Sequence, residues 1–378
     1  MPERINAHCH LLNYDFIPDA FFKKRAPIRE WMLRFRPTWW IARLLTYIQP
    51  GRKYDKIHEV LALLNKNIES VAEELIGEMD DSGIELATPL MMDISQVSAE
   101  QKPEIPYEEQ VRLVSDVALK YPGRLMPFVM FDPRRKSALE NIVKKSLSEM
   151  GFLGVKIYPM LGYDVDPDSH DNSQEANLEL GRFYEYCESN KVPVTAHCTK
   201  DGAYSNDLLG NKELGNRFCS PAAWEKVLRL YPSLRLNLAH FGGDQDLMNV
   251  YEDWSWTRQI IGLMKKYENV YADVSYNDKA LKDETSQGYF EILNMLMDDE
   301  VVRERVLFGT DWMMIRHTWT EQEYVDAFIG SFKEDALFKD IAFYNPMSFL
   351  FPEGKAPERI RRFYEANGKE LPAWLSGS

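Results

Sequence analysis

Cysteine is scarce in this chain. The four present, Cys9, Cys187, Cys198 and Cys219, show neither CxxC spacing nor the pattern of a disulfide framework. A disulfide-stapled scaffold is therefore excluded, and a reduced, cytoplasmic protein is the expectation. Long apolar runs are also missing. The most apolar early stretch, Trp39 to Ile48, is too short to cross a bilayer and contains Arg43, so no membrane partner is expected. No apolar run follows a basic start, which leaves no room for a signal peptide. Positive charge is in deficit: 45 Lys and Arg against 59 Asp and Glu give a net charge of −14. No nucleic-acid partner is expected of such a chain, because phosphate affinity needs basic patches. Finally, no Gly-rich dinucleotide fingerprint follows the first strand pattern, which removes the main support for an open doubly wound sheet.

What is present is a repeated alternation of short β-branched runs and longer helical patterns, the mark of βα units around a parallel sheet. Strand patterns occur at Arg4–Cys9, Glu85–Met91, Arg124–Phe131, Gly154–Tyr158, Pro193–His197, Arg235–His240, Asn269–Ser275 and Arg305–Gly309. Between them, stretches such as Ile68–Met79, Tyr107–Tyr121, Ser137–Met150, Glu175–Asn190, Ala222–Tyr231 and Glu284–Met297 repeat apolar residues at three- and four-residue steps, as helices covering a sheet require. Eight such units predict a closed (β/α)8 TIM barrel. At 378 residues the chain would suggest two domains, but barrels of this length fold as one. One domain over residues 1–378 is the expectation, with a charged C-terminal extension, about 352–378, wrapping the barrel.

One interval is too long for a single helix. Between strands one and two a helical insertion, about 17–66, carries Trp31, Phe35, Trp39 and Trp40. From Ile17 to His58 it holds ten Lys or Arg against three acids. It leaves the barrel at the C-terminal end of strand one, so a cap over the site that also packs on a neighbouring subunit is expected. A homodimer or higher homo-oligomer would follow.

The strand ends carry the chemistry. Strand one ends in His8-Cys9-His10, strand five in His197, strand six in His240, and strand eight runs into Asp311. Alternation places His8 and His10 on one side of their strand and Cys9 on the other. Barrel enzymes keep their active sites at that end of the strands. A lone His-x-His is weak evidence, but four of only seven histidines fall at strand ends. Imidazoles with one carboxylate form a nitrogen/oxygen donor set that suits zinc first, then manganese, iron or cobalt.

The phrases INAHCH, VTAHCT, NLAHFGG, YADVS and VLFGTDW resemble strand motifs of the amidohydrolase superfamily, and more narrowly its branch of aminocarboxymuconate-semialdehyde decarboxylase-like enzymes. The likeness runs from Ile5 to about Phe351, except for the insertion. It implies that His8, His10, His197 and Asp311 bind one metal ion while His240 works beside it. Asp311 would then carry protons as well as ligate. Gly242 and Gly243 are read as leaving room for substrate. On strand seven, Asp273 has the parity to point inward, either holding a ligand histidine or closing a hydrogen bond in the core.

Lys156 has two readings. In Gly154-Val155-Lys156-Ile157-Tyr158 it faces the barrel interior, where a lysine is costly unless paired or altered. Carboxylated, it would bridge two metals, as the resemblance to some amidohydrolases implies; as an ammonium it would meet a carboxylate or the substrate. Arg135, Tyr158 and His317 are further substrate-binding candidates, although Arg135 also fits a surface charge and His317 a solvated loop. Two reactions fit the same residues: hydrolysis of a small amide, lactone or ester, ranked first, and non-oxidative decarboxylation or hydration of a small aromatic or unsaturated carboxylic acid. A small substrate is expected, and the basic insertion would attract an anionic one or meet an acidic surface of the neighbouring subunit.

Overall fold

The computed structural model describes residues 3–18, 20–21, 56–97, 101–200 and 202–377. Eight strands form, at Ile5–Cys9 (β1), Leu86–Pro89 (β2), Phe128–Phe131 (β3), Gly154–Ile157 (β4), Val194–Thr199 (β5), Leu236–Gly242 (β6), Val270–Asp273 (β7) and Val306–Leu307 (β8). All pair in parallel, β1 with β2 and β3 through β8 in order. The two ribbons are joined by bridges from Ala87 to Leu125, Leu90 to Phe128 and Cys9 to Trp312. Ala7 N also donates to Phe308 O at 3.0 Å. The sheet therefore closes on itself, and the TIM barrel expected from the sequence is the fold.

A helix follows each strand: Ile68–Ser82 (α1), Tyr107–Lys120 (α2), Lys145–Glu149 (α3), Gln174–Ser189 (α4), Pro221–Leu230 (α5), Trp256–Lys266 (α6), Asp283–Leu296 (α7) and Glu321–Ile329 (α8). α1 shows why these segments are helical. It buries Ile68, Val71, Ala72, Leu75 and Met79 along one stripe, and the Asn67 side chain accepts from Ser70 N at 2.8 Å at its start. It stops at Gly83, whose φ of 65° is left-handed and whose missing Cβ leaves room for the Arg4 guanidinium. α8 begins in a capping box of Thr320 and Glu323.

The C-terminal extension does not merely wrap the exterior. Phe363 and Pro372 press on Gly151 and Gly123, ahead of β4 and β3. Arg359 donates to the carbonyl oxygens of Phe152 and Leu153. Ile360, Tyr364 and Leu375 share one apolar cluster with Ile5, Leu86, Phe128 and Leu307. The extension thus packs against the N-terminal ends of the strands. Of the insertion expected at 17–66, residues 19 and 22–55 lie outside the described residues. Among those described, no helix is long and apolar enough to cross a membrane.

Candidate metal centre

Two strands reach the site through an extra residue. On β1, Asn6 pairs with Ala87 and Cys9 with Pro89, three steps against two. Ala7 packs with Tyr271 and Leu307, yet His8, its neighbour, also points to the site. The bulge turns it there. On β6, His197 pairs with Ala239 and Thr199 with Gly242, again two steps against three. Asn237 faces inward, where it reaches Asp273. Strict alternation would then turn His240 outward, but left-handed φ values of 65° at His240 and 50° at Phe241 redirect it. Asp311, after β8, is also left-handed at φ 60°. Such conformations cost about 1–3 kcal/mol each and gather at functional sites.

Gly242 and Gly243 extend the left-handed stretch, with φ of 84° and 99°. A Cβ on Gly242 would strike Thr257 N, and one on Gly243 would strike Thr199 Oγ1. The room read as space for substrate is thus taken by the fold, and these glycines serve the turn.

Around this end the side chains converge. His8 Nδ1 donates to Asp273 Oδ2 at 3.0 Å, His10 Nδ1 to Leu90 O at 2.7 Å, and His240 Nδ1 to Ser275 O at 3.2 Å or Ser275 Oγ at 3.0 Å. A carbonyl or an ionised carboxylate can only accept, so all three rings carry hydrogen on Nδ1, and the neutral ring that metal ligation requires keeps its lone pair on Nε2. The His8 and His10 lone pairs face Asp311 Oδ1 at 3.9 and 3.1 Å. His8 Nε2 and Asp311 Oδ1 are buried without any hydrogen bond. Donor atoms of His8, His10 and Asp311 lie within 4.8 Å of one another, as do those of His8, His240 and Asp273. Among the described residues His197 falls in neither triad, but its Nδ1 is 3.2 Å from His240 Nε2 and Tyr158 stacks on its ring. Lone pairs turned on one another in a dry site fit a divalent cation between them.

Electrostatics agree with that reading. Burial drives the His8 pKa down to about 4, against the pull of Asp273, and lowers His240 as well. Burial would raise Asp311, but positive charge on the surrounding His10, His8 and His240 would outweigh it and lower its pKa; with those rings neutral, a bound cation would supply that charge. Asp273 is likewise held well below the ordinary range despite burial, chiefly by His8. It accepts from Asn237 Nδ2 at 2.7 Å, His240 N at 3.0 Å, Ser275 N at 3.2 Å and the Ser275 hydroxyl, besides His8.

Lys156 stands inside the barrel, fully buried, and its Nζ has no hydrogen-bond partner. Burial lowers its pKa to about 8, opposed by Asp273 and Asp311. Tyr158 OH accepts from Ala203 N at 2.8 Å. Arg135 is engaged with Asp93 at 2.7 Å, Glu108 at 2.7 Å and Ser95 at 3.1 Å. His317 Nε2 lies 2.9 Å from Tyr276 OH. Sequence reasoning passed over Ser275, which touches both His8 and His240, and Asn6, whose Oδ1 accepts from His8 N and Thr310 N at 3.1 Å each. The Asp-x-Ser spacing of Asp273 and Ser275, typical of a side chain that bonds backbone two residues on, was the signal that could have found the first.

The amidohydrolase family profile matches residues 5–351. A search of curated proteins finds no sequence match. Solved structures of similar fold include a 5-carboxyvanillate decarboxylase from Novosphingobium aromaticivorans with bound manganese and 3-methoxy-4-hydroxy-5-nitrobenzoic acid (14% identity, 92% of this chain and 96% of that one, TM-score 0.57). A 2,6-dihydroxybenzoate decarboxylase from Rhizobium is similar too (16%, 97% and 100%, 0.54), as is a probable 2-pyrone-4,6-dicarboxylic acid hydrolase from Acinetobacter baumannii (12%, 93% and 99%, 0.55). These identities carry the fold alone, whereas the profile spans the motifs that bear His8, His10, His197, His240 and Asp311. The chain belongs to the amidohydrolase family.

Proposed function

We propose that this protein is a divalent-metal-dependent enzyme that removes carbon dioxide, without oxidation, from a small aromatic or unsaturated carboxylic acid. The sequence alone ranks hydrolysis first. The proteins of similar fold favour the other order, since decarboxylases of carboxylated aromatic acids outnumber the hydrolase among them. The observation that carries the reading is the buried set of unpartnered polar atoms, His8 Nε2, Asp311 Oδ1 and Lys156 Nζ, two suited to a cation and one to an anion.

His8, His10, His197 and Asp311 would hold the ion. Zinc suits these donors best, and manganese is what the decarboxylase from Novosphingobium holds. When bound, it supplies Lewis-acid polarisation of a substrate oxygen. The chain's own residues do the rest. Decarboxylation breaks the bond to the carboxylate, releases carbon dioxide and leaves an electron pair on carbon that must take up one proton. Asp311 and His240 can deliver it: Asp311 through the carboxylate oxygen that the ion would leave free, and His240 at Nε2, which faces His197 Nδ1 at 3.2 Å, since Ser275 occupies Nδ1. Asp311 is ionised at rest, so it collects a proton before passing it on. Hydrolysis is the second reading, supported by the pyrone hydrolase, and would use Asp311 in the reverse sense, as acceptor from water.

Purified protein loaded with zinc or manganese, incubated with hydroxybenzoates, unsaturated acids, lactones and amides in 18O-labelled water, separates the two. Carbon dioxide release without 18O in the organic product supports decarboxylation. Incorporation of 18O into a ring-opened or cleaved product overturns it in favour of hydrolysis.

A further inference from the structure

We propose that Lys156 is the anion anchor of this site, its unmodified ammonium receiving the carboxylate of the substrate. The inference deepens the decarboxylase reading and rests on it for the presence of a metal ion. β4 sets the position. Lys156 pairs with Met130 on one side and Thr195 on the other, and Thr195 receives a hydrogen bond from Asn237, whose amide also reaches Asp273. Lys156 thus shares the face that carries His197 and Asp273, while Val155 and Ile157 pack in the apolar layer behind it.

A buried ammonium is costly unless something compensates it. Here nothing in the described chain does so at close range. Lys156 has no exposed surface, its Nζ has no hydrogen bond, and none of the ion pairs among the described residues includes it. A lysine kept only for packing would have been better as methionine, and one kept for structure would have a carboxylate beside it. Its nearest aromatic partner, Tyr158, lies with its ring centroid 5.9 Å away, too far to replace a charged hydrogen bond. The missing partner is therefore an incoming group.

Charge says which kind. Histidines that lend a lone pair to a metal are neutral. Asp273 and Asp311 are anionic and Lys156 is cationic, so the bare centre carries one net negative charge. A divalent ion converts this to one net positive charge, which a single carboxylate cancels. A neutral amide or ester would leave that charge buried and unbalanced. The site is thereby selective for monoanionic acids over their neutral analogues. No second metal is needed to explain the lysine.

The test compares wild type with Lys156→Met and Lys156→Gln, all loaded with the same metal and titrated calorimetrically with salicylate and with phenol. Metal content and melting temperature are measured in parallel. The anchor predicts that salicylate affinity falls by about ten- to a hundredfold, the range of a charge-assisted hydrogen bond. Metal content and phenol binding should hold, and ligand-free Lys156→Met should melt no lower than wild type. Unchanged salicylate affinity in a folded, metal-loaded variant overturns the proposal. So does a carbamate carbon on Lys156 in wild-type protein equilibrated with 13C-labelled bicarbonate, since the nitrogen would then be no ammonium. Should neither variant fold, wild type is titrated with salicylamide. Equal affinity overturns the anchor, and a preference of about tenfold or more for salicylate supports it. A wild type that retains no metal fails the centre itself, and the anchor falls with it. Salicylate binding that depends on Lys156, in a protein that releases no carbon dioxide from any acid, upholds the anchor and fails only the reaction.

Discussion

His10 Nε2 and Asp311 Oδ1 face each other across 3.1 Å while Leu90 O accepts from the ring's other nitrogen, so in the neutral ring that ligation requires the two atoms meet lone pair to lone pair. Two electron-rich atoms at that distance repel unless a cation lies between them. The same holds for His8, whose proton is committed to Asp273. Backbone and carboxylate acceptors thus decide in advance what these rings can do.

The first consequence concerns stoichiometry. Elemental analysis of purified protein is expected to give about one divalent ion per chain, by the ligand count of an open catalytic site. The double variant His8→Ala/His10→Ala should retain little. Full occupancy in that variant would remove the basis for the centre.

Asp311→Asn should abolish turnover on whichever substrate is identified, by several orders of magnitude, because an amide carries no exchangeable acid proton at neutral pH. Circular dichroism should show the fold intact. Metal content is measured in the same preparation, so that lost proton transfer is told apart from lost ligation.

Asp273 is expected to act through the rings it holds. Its oxygens accept from His8, His240 N, Asn237 and Ser275. Asp273→Asn would turn an NH2 group toward one of these donors. Metal affinity should drop by about 10–100-fold, the usual effect of losing such a support, with a smaller loss for Ser275→Ala, since the Ser275 carbonyl still faces His240. Competition with a fluorescent chelator measures both. Unaltered affinity in Asp273→Asn would reduce the residue to a packing role.

Glu321 provides a pH signature away from the centre. Burial, reinforced by the nearby Glu78, raises its carboxyl to about 8, although Asn6 and Thr310 reach one of its oxygens. The folded pKa lies above the unfolded one, so the folded chain holds a proton that the unfolded chain releases. This stability is present below the unfolded value of about 4.3 and is lost as pH rises toward 8, by at most about 1.4 kcal/mol per pH unit. Glu321→Gln should flatten that part of the curve. Its denaturation midpoint relative to wild type should be higher at pH 8 than at pH 5. Parallel curves for the two proteins would refute the assignment.

Much of this was legible in the sequence. All eight strands fall inside or beside their expected ranges, because buried parallel strands read as short apolar runs. α1, α2, α4, α5 and α7 follow their apolar stripes within a few residues. His8, His10, His240 and Asp311 were picked out by position at strand ends, and the structure gathers them. The means by which they gather were not legible. Counted by alternation from Asn237, His240 should face outward; only the paired register of β5 and β6 reveals the extra residue that brings it back. Ser275 and Asn6 escaped notice because one serine or asparagine carries no period, and its role exists only once β1, β7 and the Asp311 segment are neighbours.

The two bulges make the donor set a matter of residue count as well as residue type. A chain with every histidine and aspartate intact, but one residue shorter between Asn6 and Cys9 or between Ala239 and Gly242, would keep its barrel register through those strands. It would also turn an imidazole away from the centre. Deletions in β1 and β6 would therefore silence the protein while leaving its composition, its apolar pattern and its closed sheet in place. A homologue that carries every donor need not be active, and the spacing between paired residues on neighbouring strands is the feature to compare.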